Sequence, residues 1–125
     1  DPVILYMPDL FTRPTPLRPD LVLDVEGQID SIIGMLACHR TQVFEWLPYE
    51  GGILGDMPEG KQGKLCWLRE WFKDQVGERS ERFRNALVTT YGKERGLSIT
   101  FCEAFEISEY GSPMDEEKRS KLWPF

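Results

Sequence analysis

Apolar positions along the chain change their period several times, and each change marks an element. Val3-Ile4-Leu5-Tyr6 is a short β-rich run, and the prolines that follow (Pro8, Pro14, Pro16, Pro19) exclude a persistent helix before the next apolar stretch. Leu21-Val22-Leu23-Asp24-Val25 predicts a second strand, with Asp24 and Glu26 placed to suit the positive end of a following helix. The spacing predicts that helix over residues 25–46. Ile29, Ile32, Ile33, Leu36, Val43 and Phe44 fall within about one-third of a helical wheel, and Pro48 ends the run. Residues 50–63 hold five Gly and one Pro without periodicity and read as a loop. From Lys64, helical spacing returns through Leu65, Leu68, Trp71, Phe72, Val76, Phe83, Leu87, Val88 and Tyr91, with Gly77 as a break and Gly92 as the stop. Leu97, Ile99, Phe101, Phe105 and Ile107 then alternate with smaller or polar residues, the pattern of a strand with one face against a core. Glu103 falls on that apolar face. Such a carboxylate must be paired with an Arg, lie at a sheet edge, or open onto a cleft.

The tail 112–125, charged from Asp115 to Lys121 and ending Leu122-Trp123-Pro124-Phe125, is either frayed or docked by its aromatics. About three strands with two or three helices make the class α/β. At 125 residues the chain suffices for one domain with its own core.

Charge and composition narrow the function classes. Fifteen Lys and Arg against twenty-one Asp and Glu leave a net charge of −6, which opposes binding to phosphate backbones or anionic membranes. Residues 61–95 carry nine basic and five acidic residues, but the signs are interleaved and predict a solvated helix face with i,i+4 pairs. Cys38, Cys66 and Cys102 are too few and too dispersed for a disulfide framework, so a reducing, cytoplasmic setting is expected. A start at Asp1-Pro2 directly before a strand suggests a chain that begins in mid-fold.

His39 is the only histidine, so any relay or His-based metal site would have to use it. It lies about 80° from the centre of the apolar stripe and Arg40 about 20° from it, which points Arg40 inward. Such a guanidinium either reaches an acidic residue such as Glu103 or Asp24, or lines a polar cleft. His39 is either hydrogen-bonded to a carbonyl at the core boundary or part of a site. With Gln42 one turn on, the helix offers an imidazole, a guanidinium and a carboxamide. Metalloprotease, serine-hydrolase, Walker and dinucleotide-binding motifs do not occur, and no set of three metal ligands is grouped.

Three stretches together resemble the C-terminal part of the PIG-L/LmbE-like zinc-dependent N-acetylglucosaminyl deacetylases. They are Arg18-Pro19-Asp20-Leu21-Val22-Leu23-Asp24-Val25, then Ala37-Cys38-His39-Arg40-Thr41-Gln42, which fits an Ala-x-His-x-Ser/Thr-Gln pattern, and finally Tyr91-Gly92-x-x-x-Gly96 with Glu103-Ala104-Phe105-Glu106. The resemblance implies an incomplete Rossmann-like fold over residues 1–111, followed by the tail. It also implies a parent enzyme that hydrolyses the acetamide of glucosamine-type sugar conjugates with a zinc-bound water. The family's Pro-His-Pro-Asp-Asp-Glu and His-x-x-His elements, which supply zinc and the general base, are missing from this sequence. The chain is therefore expected to hold no metal, to be inactive alone, and to need an N-terminal half, with self-association otherwise covering the open surface. In that setting His39, Arg40, Gln42 and Glu103 are candidate cleft residues, and Trp46 and Tyr49 candidate sugar-facing aromatics. The alternative is a non-catalytic interaction or scaffold domain using Trp67, Trp71 and Phe72 on an exposed helix face.

Overall fold

The computed structural model describes residues 1–9 and 11–123. Its elements are β1 (Leu5–Tyr6), β2 (Leu21–Asp24), α1 (Ile29–Leu36), α2 (Leu47–Glu50), α3 (Gly60–Arg82), α4 (Arg84–Tyr91), α5 (Lys93–Ser98), β3 (Cys102–Ile107) and α6 (Glu116–Leu122). Class α/β is thus observed, with six helices rather than two or three among the described residues. Contacts divide the chain into two units, Asp1–Asp24 with Arg79–Phe125, and Val25–Glu78.

In the first unit β3 is the central strand of a sheet ordered β1-β3-β2, and both neighbours run antiparallel to it. Leu5 pairs with Ile107, and Leu21, Val22, Leu23 and Asp24 pair with Phe105, Ala104, Glu103 and Cys102. The alternation in β3 is real, but its fully buried face is the small one. Cys102 and Ala104 are completely buried and pack with Val22, Ile99, Phe83 and Leu87. Small side chains there let α4 approach the sheet closely, and Phe83 and Leu87 supply the volume. The opposite face is covered differently: Phe105 meets the Trp123 ring edge-on at 5.3 Å, which docks the tail. Pro124 and Phe125 lie outside the described residues.

Strand structure begins at Cys102 and not at Leu97. Residues 93–98 form α5, because Gly92 takes a φ of +83° and turns the chain straight from one helix into the next. Arg84 then donates to the carbonyls of Gly96 and Ile99 at 2.8 and 2.7 Å, satisfying acceptors at the end of α5. A Cβ built on Gly96 would stand 2.5 Å from Val88 Cα, so α4 and α5 cross backbone to backbone. The extended crossing before β2 is tied to β3 by Asp20, which accepts from the Ile107 N–H at 2.9 Å, and by Glu106, which accepts from the Arg18 N–H at 2.9 Å.

In the second unit the helix expected over 25–46 is broken. A 3₁₀ turn at Glu26–Gln28 leads into α1, which stops at Leu36. The N–H groups of Cys38 and His39 then bond three residues back, to Met35 and Leu36. Helix resumes at Arg40 and widens into a π turn over Gln42–Trp46, where the Leu47 N–H reaches the Gln42 carbonyl. Cys, His and Thr are weak helix formers, and the wider turn relieves the clash a proline makes with the carbonyl four residues back. Pro48 is therefore accommodated at the start of α2 instead of ending the run. Gly77 does not break α3, which continues to Arg82; the break falls at Phe83, buried with φ −107° and ψ 17°. Asp30 and Arg69 form an ion pair that links α1 to α3.

Two glycine substitutions separate packing from propensity. Gly96→Ala is expected to destabilise the chain by about 3 kcal/mol, since the methyl meets main chain that cannot turn aside. Gly77→Ala, with nothing within 4 Å of its new methyl, is expected to stabilise by about 0.5–1 kcal/mol. Urea midpoints of the two variants measure both effects.

Candidate functional site

The break after α1 determines what the helix presents. The three-residue turn and the π turn shift the phase of everything after Leu36, so the wheel that points Arg40 inward does not apply. Val43 is buried and Phe44 half-buried, while Cys38, His39, Arg40, Thr41 and Gln42 are all exposed. The His39 imidazole makes no hydrogen bond among the described residues, so it is not a carbonyl-bonded boundary histidine. Arg40 reaches neither acid expected of it. Glu103 is paired with Arg79, and Asp24 with Arg95 at 3.1 Å.

Arg40 instead lines a cleft of about 760 Å³, together with Cys38, Phe44, Glu45, Lys61 and Lys64. His39 and Gln42 flank Arg40 in sequence but do not line the cleft. Lys64 lies over the Phe44 ring at 5.8 Å, and Phe44 in turn meets Trp67 at 6.4 Å. Sequence reasoning missed Phe44, Lys61 and Lys64. Their signal was legible: neither lysine has an acidic residue three or four positions away, whereas Lys73 is paired with Glu70 and Lys121 with Glu117.

Trp46 and Tyr49 are exposed, at 50% and 72%, and Ile53 and Leu54 extend the apolar surface into the glycine-rich loop. The aromatic face proposed for partner binding is different from expectation. Phe72 is only 8% exposed, and Trp67 and Trp71 are half-buried and stack on each other at 5.9 Å.

Glu103 sits in the first unit on β3, where Arg79 Nη1 donates to both of its oxygens at 2.7 Å. Burial pushes its carboxyl above the ordinary glutamate range, and Arg79 pulls against that shift without cancelling it. Asp20 goes the other way, because hydrogen bonds from Arg18 at 2.6 and 2.9 Å hold it below the usual aspartate range. The Cys102 thiol is pushed up to about 11, chiefly by burial, and stays neutral, while Cys38 and Cys66 are exposed. At the end of β2, Asp24 donates its N–H to the Tyr91 hydroxyl at 3.0 Å, and the Arg95 guanidinium lies over the Tyr91 ring at 4.6 Å.

Among the described residues no group of three His, Cys, Asp or Glu side chains is placed to hold a metal ion, and no helix is long and apolar enough to cross a membrane. No protein-family model, curated protein or solved structure matches the chain.

Glu103 and Asp20 give opposite pH dependences. A raised folded-state pKa means the native chain takes up its proton first, so Glu103 adds stability as pH falls from neutrality into the glutamate range. Asp20 loses stability as pH falls through the aspartate range. Relative to the parent, Glu103→Gln is expected to be near-neutral at pH 7, within about 1 kcal/mol, and to fall behind on acidification. Asp20→Asn is expected to cost most at pH 7 and to converge with the parent in acid. Denaturation midpoints at several pH values check both signs. Thiol labelling under native conditions is expected to modify Cys38 and Cys66 quickly, and Cys102 only on unfolding.

Proposed function

We propose that this chain is the C-terminal region of a metal-dependent amidohydrolase of the PIG-L/LmbE type, one that removes the acetyl group from N-acetylglucosamine-type sugar conjugates. The observation that carries the reading is the state of Ala37-Cys38-His39-Arg40-Thr41-Gln42. The stretch that fits the family pattern lies at the interruption between α1 and the π turn, with its imidazole, guanidinium and carboxamide exposed. Residues packed for stability alone are rarely arranged so.

In the proposed enzyme the antiparallel strands belong to a larger Rossmann-like sheet whose parallel strands come from the N-terminal half. That half also brings the zinc ligands and the general base. The residues here do not fit zinc, since His39 is the sole imidazole and no carboxylate or thiol cluster accompanies it. No metal ligand and no chemical step are therefore assigned to this chain, which is inactive alone. Its part is to border the substrate: His39 and Gln42 offer hydrogen bonds, and the exposed rings of Trp46 and Tyr49 offer faces on which a sugar stacks. Exposed Ile4, Tyr6, Met7 and Phe11 near β1 would be covered by the N-terminal half, or by self-association in its absence. The free cysteines suit the cytosol.

An N-terminal half carrying the Pro-His-Pro-Asp-Asp-Glu motif, joined to this chain or added in trans, is expected to give zinc-dependent release of acetate from an N-acetylglucosamine conjugate. Neither half should do so alone. In the joined protein His39→Ala is expected to lower turnover about tenfold or more with little change in melting temperature, while Cys66→Ala leaves turnover unchanged. Joined halves that fold, bind zinc and release no acetate would overturn the reading.

A further inference from the structure

The cleft between the end of α1 and the first turns of α3 has an electrostatic character that neither packing nor solvation accounts for. Arg40, Lys61 and Lys64 line it, and none of the three forms an ion pair among the described residues. Elsewhere cations are matched: Arg18, Arg69, Lys73, Arg79, Arg84, Arg95, Lys118 and Lys121 each have a carboxylate partner. Lys61 and Lys64 also stand in the first turns of the 23-residue α3, whose opening turn holds no acidic residue. Positive charge is unfavourable at that end of a helix, so the helix itself adds to the excess. Glu45 is the only carboxylate on the cleft wall, and three cations against it leave two positive charges over. In a chain of net charge −6, such a local excess is a departure from the whole.

The remaining walls are apolar, with Phe44, Leu65 and Ala37 among them, and the volume of about 760 Å³ is that of a small-molecule site. We propose that this cleft binds a soluble organic phosphate monoester, its dianionic group between Arg40, Lys61 and Lys64 and its apolar part along Phe44 and Leu65. A phosphate monoester carries close to two negative charges at neutral pH, the complement of the excess. Arg40 brings the planar fork that engages two phosphate oxygens at once, and the lysines bring mobile point charges. Bound there, the ester relieves the repulsion among the cations and occupies the positive end of α3. Nothing in this assignment requires the amidohydrolase reading.

The test is calorimetric titration of the full chain with phenyl phosphate, inorganic phosphate, benzoate and benzyl alcohol at low ionic strength. Phenyl phosphate is expected to bind with one-to-one stoichiometry, more tightly than the other three. Lys61→Gln with Lys64→Gln, and separately Arg40→Gln, are each expected to weaken it about tenfold or more, while the distant Lys93→Gln does not. These side chains are exposed or half-buried, so far-UV circular dichroism should show all variants folded. Absence of phenyl phosphate binding at millimolar concentration would overturn the assignment. So would equal weakening by Lys93→Gln, or equal affinity for benzoate or inorganic phosphate. Cosedimentation with phosphatidic acid vesicles that phenyl phosphate displaces would transfer the phosphate to a lipid headgroup and overturn the soluble ligand.

Discussion

β3 is the only strand hydrogen-bonded on both sides, so the whole of its unit depends on covering both of its faces. The two faces are covered by different physics. On one, Cys102 and Ala104 are small enough that Phe83 and Leu87 of α4 reach the sheet, and burial of those side chains drives the packing. On the other, Glu103 is held by Arg79, and Phe105 by Trp123. The charged contact is not the source of stability. Burial raises the carboxyl of Glu103 in spite of Arg79, so the ion pair offsets part of a desolvation cost and fixes where the last turn of α3 meets the strand.

Against that sheet the helices behave as a chain of short pieces with local reasons for each end. Gly92 turns α4 into α5, Gly96 lets them touch, and Arg84 closes the carbonyls that α5 leaves open. In the second unit the interruptions have a different effect. The turn after Leu36 and the π turn before Pro48 rotate the polar run Cys38 to Gln42 into solvent while Val43 stays buried. A helix without those interruptions would have carried Arg40 on its apolar stripe.

The strands at Leu5–Tyr6 and Leu21–Asp24, the helical run after Lys64 and the anchoring of Glu103 by an Arg were all legible in the sequence, because each rests on local periodicity or on the cost of burying a charge. The break after Leu36 was not, since a wheel assumes one constant phase and weak helix formers only permit a break without placing it. The inner face of β3 was misread because hydrophobicity favours Phe105 and Ile107 over Cys102 and Ala104, whereas close approach of α4 selects small residues. The cleft around Arg40, Lys61 and Lys64 was hidden by averaging charge over residues 61–95. Only partner-by-partner pairing separates the unmatched lysines from the matched ones.

Every functional assignment made for residues 37–46 rests on that interruption. Native-state amide hydrogen exchange, resolved residue by residue, tests it most directly. The interrupted helix requires the Cys38 and His39 amides, closed only by bonds to Met35 and Leu36, to exchange far faster than those of Ile33 and of Ala104 in the central strand. Uniform protection from Ile33 through Val43 would mean an unbroken helix with Arg40 turned inward, and would contradict the presentation of His39, Arg40 and Gln42 to solvent.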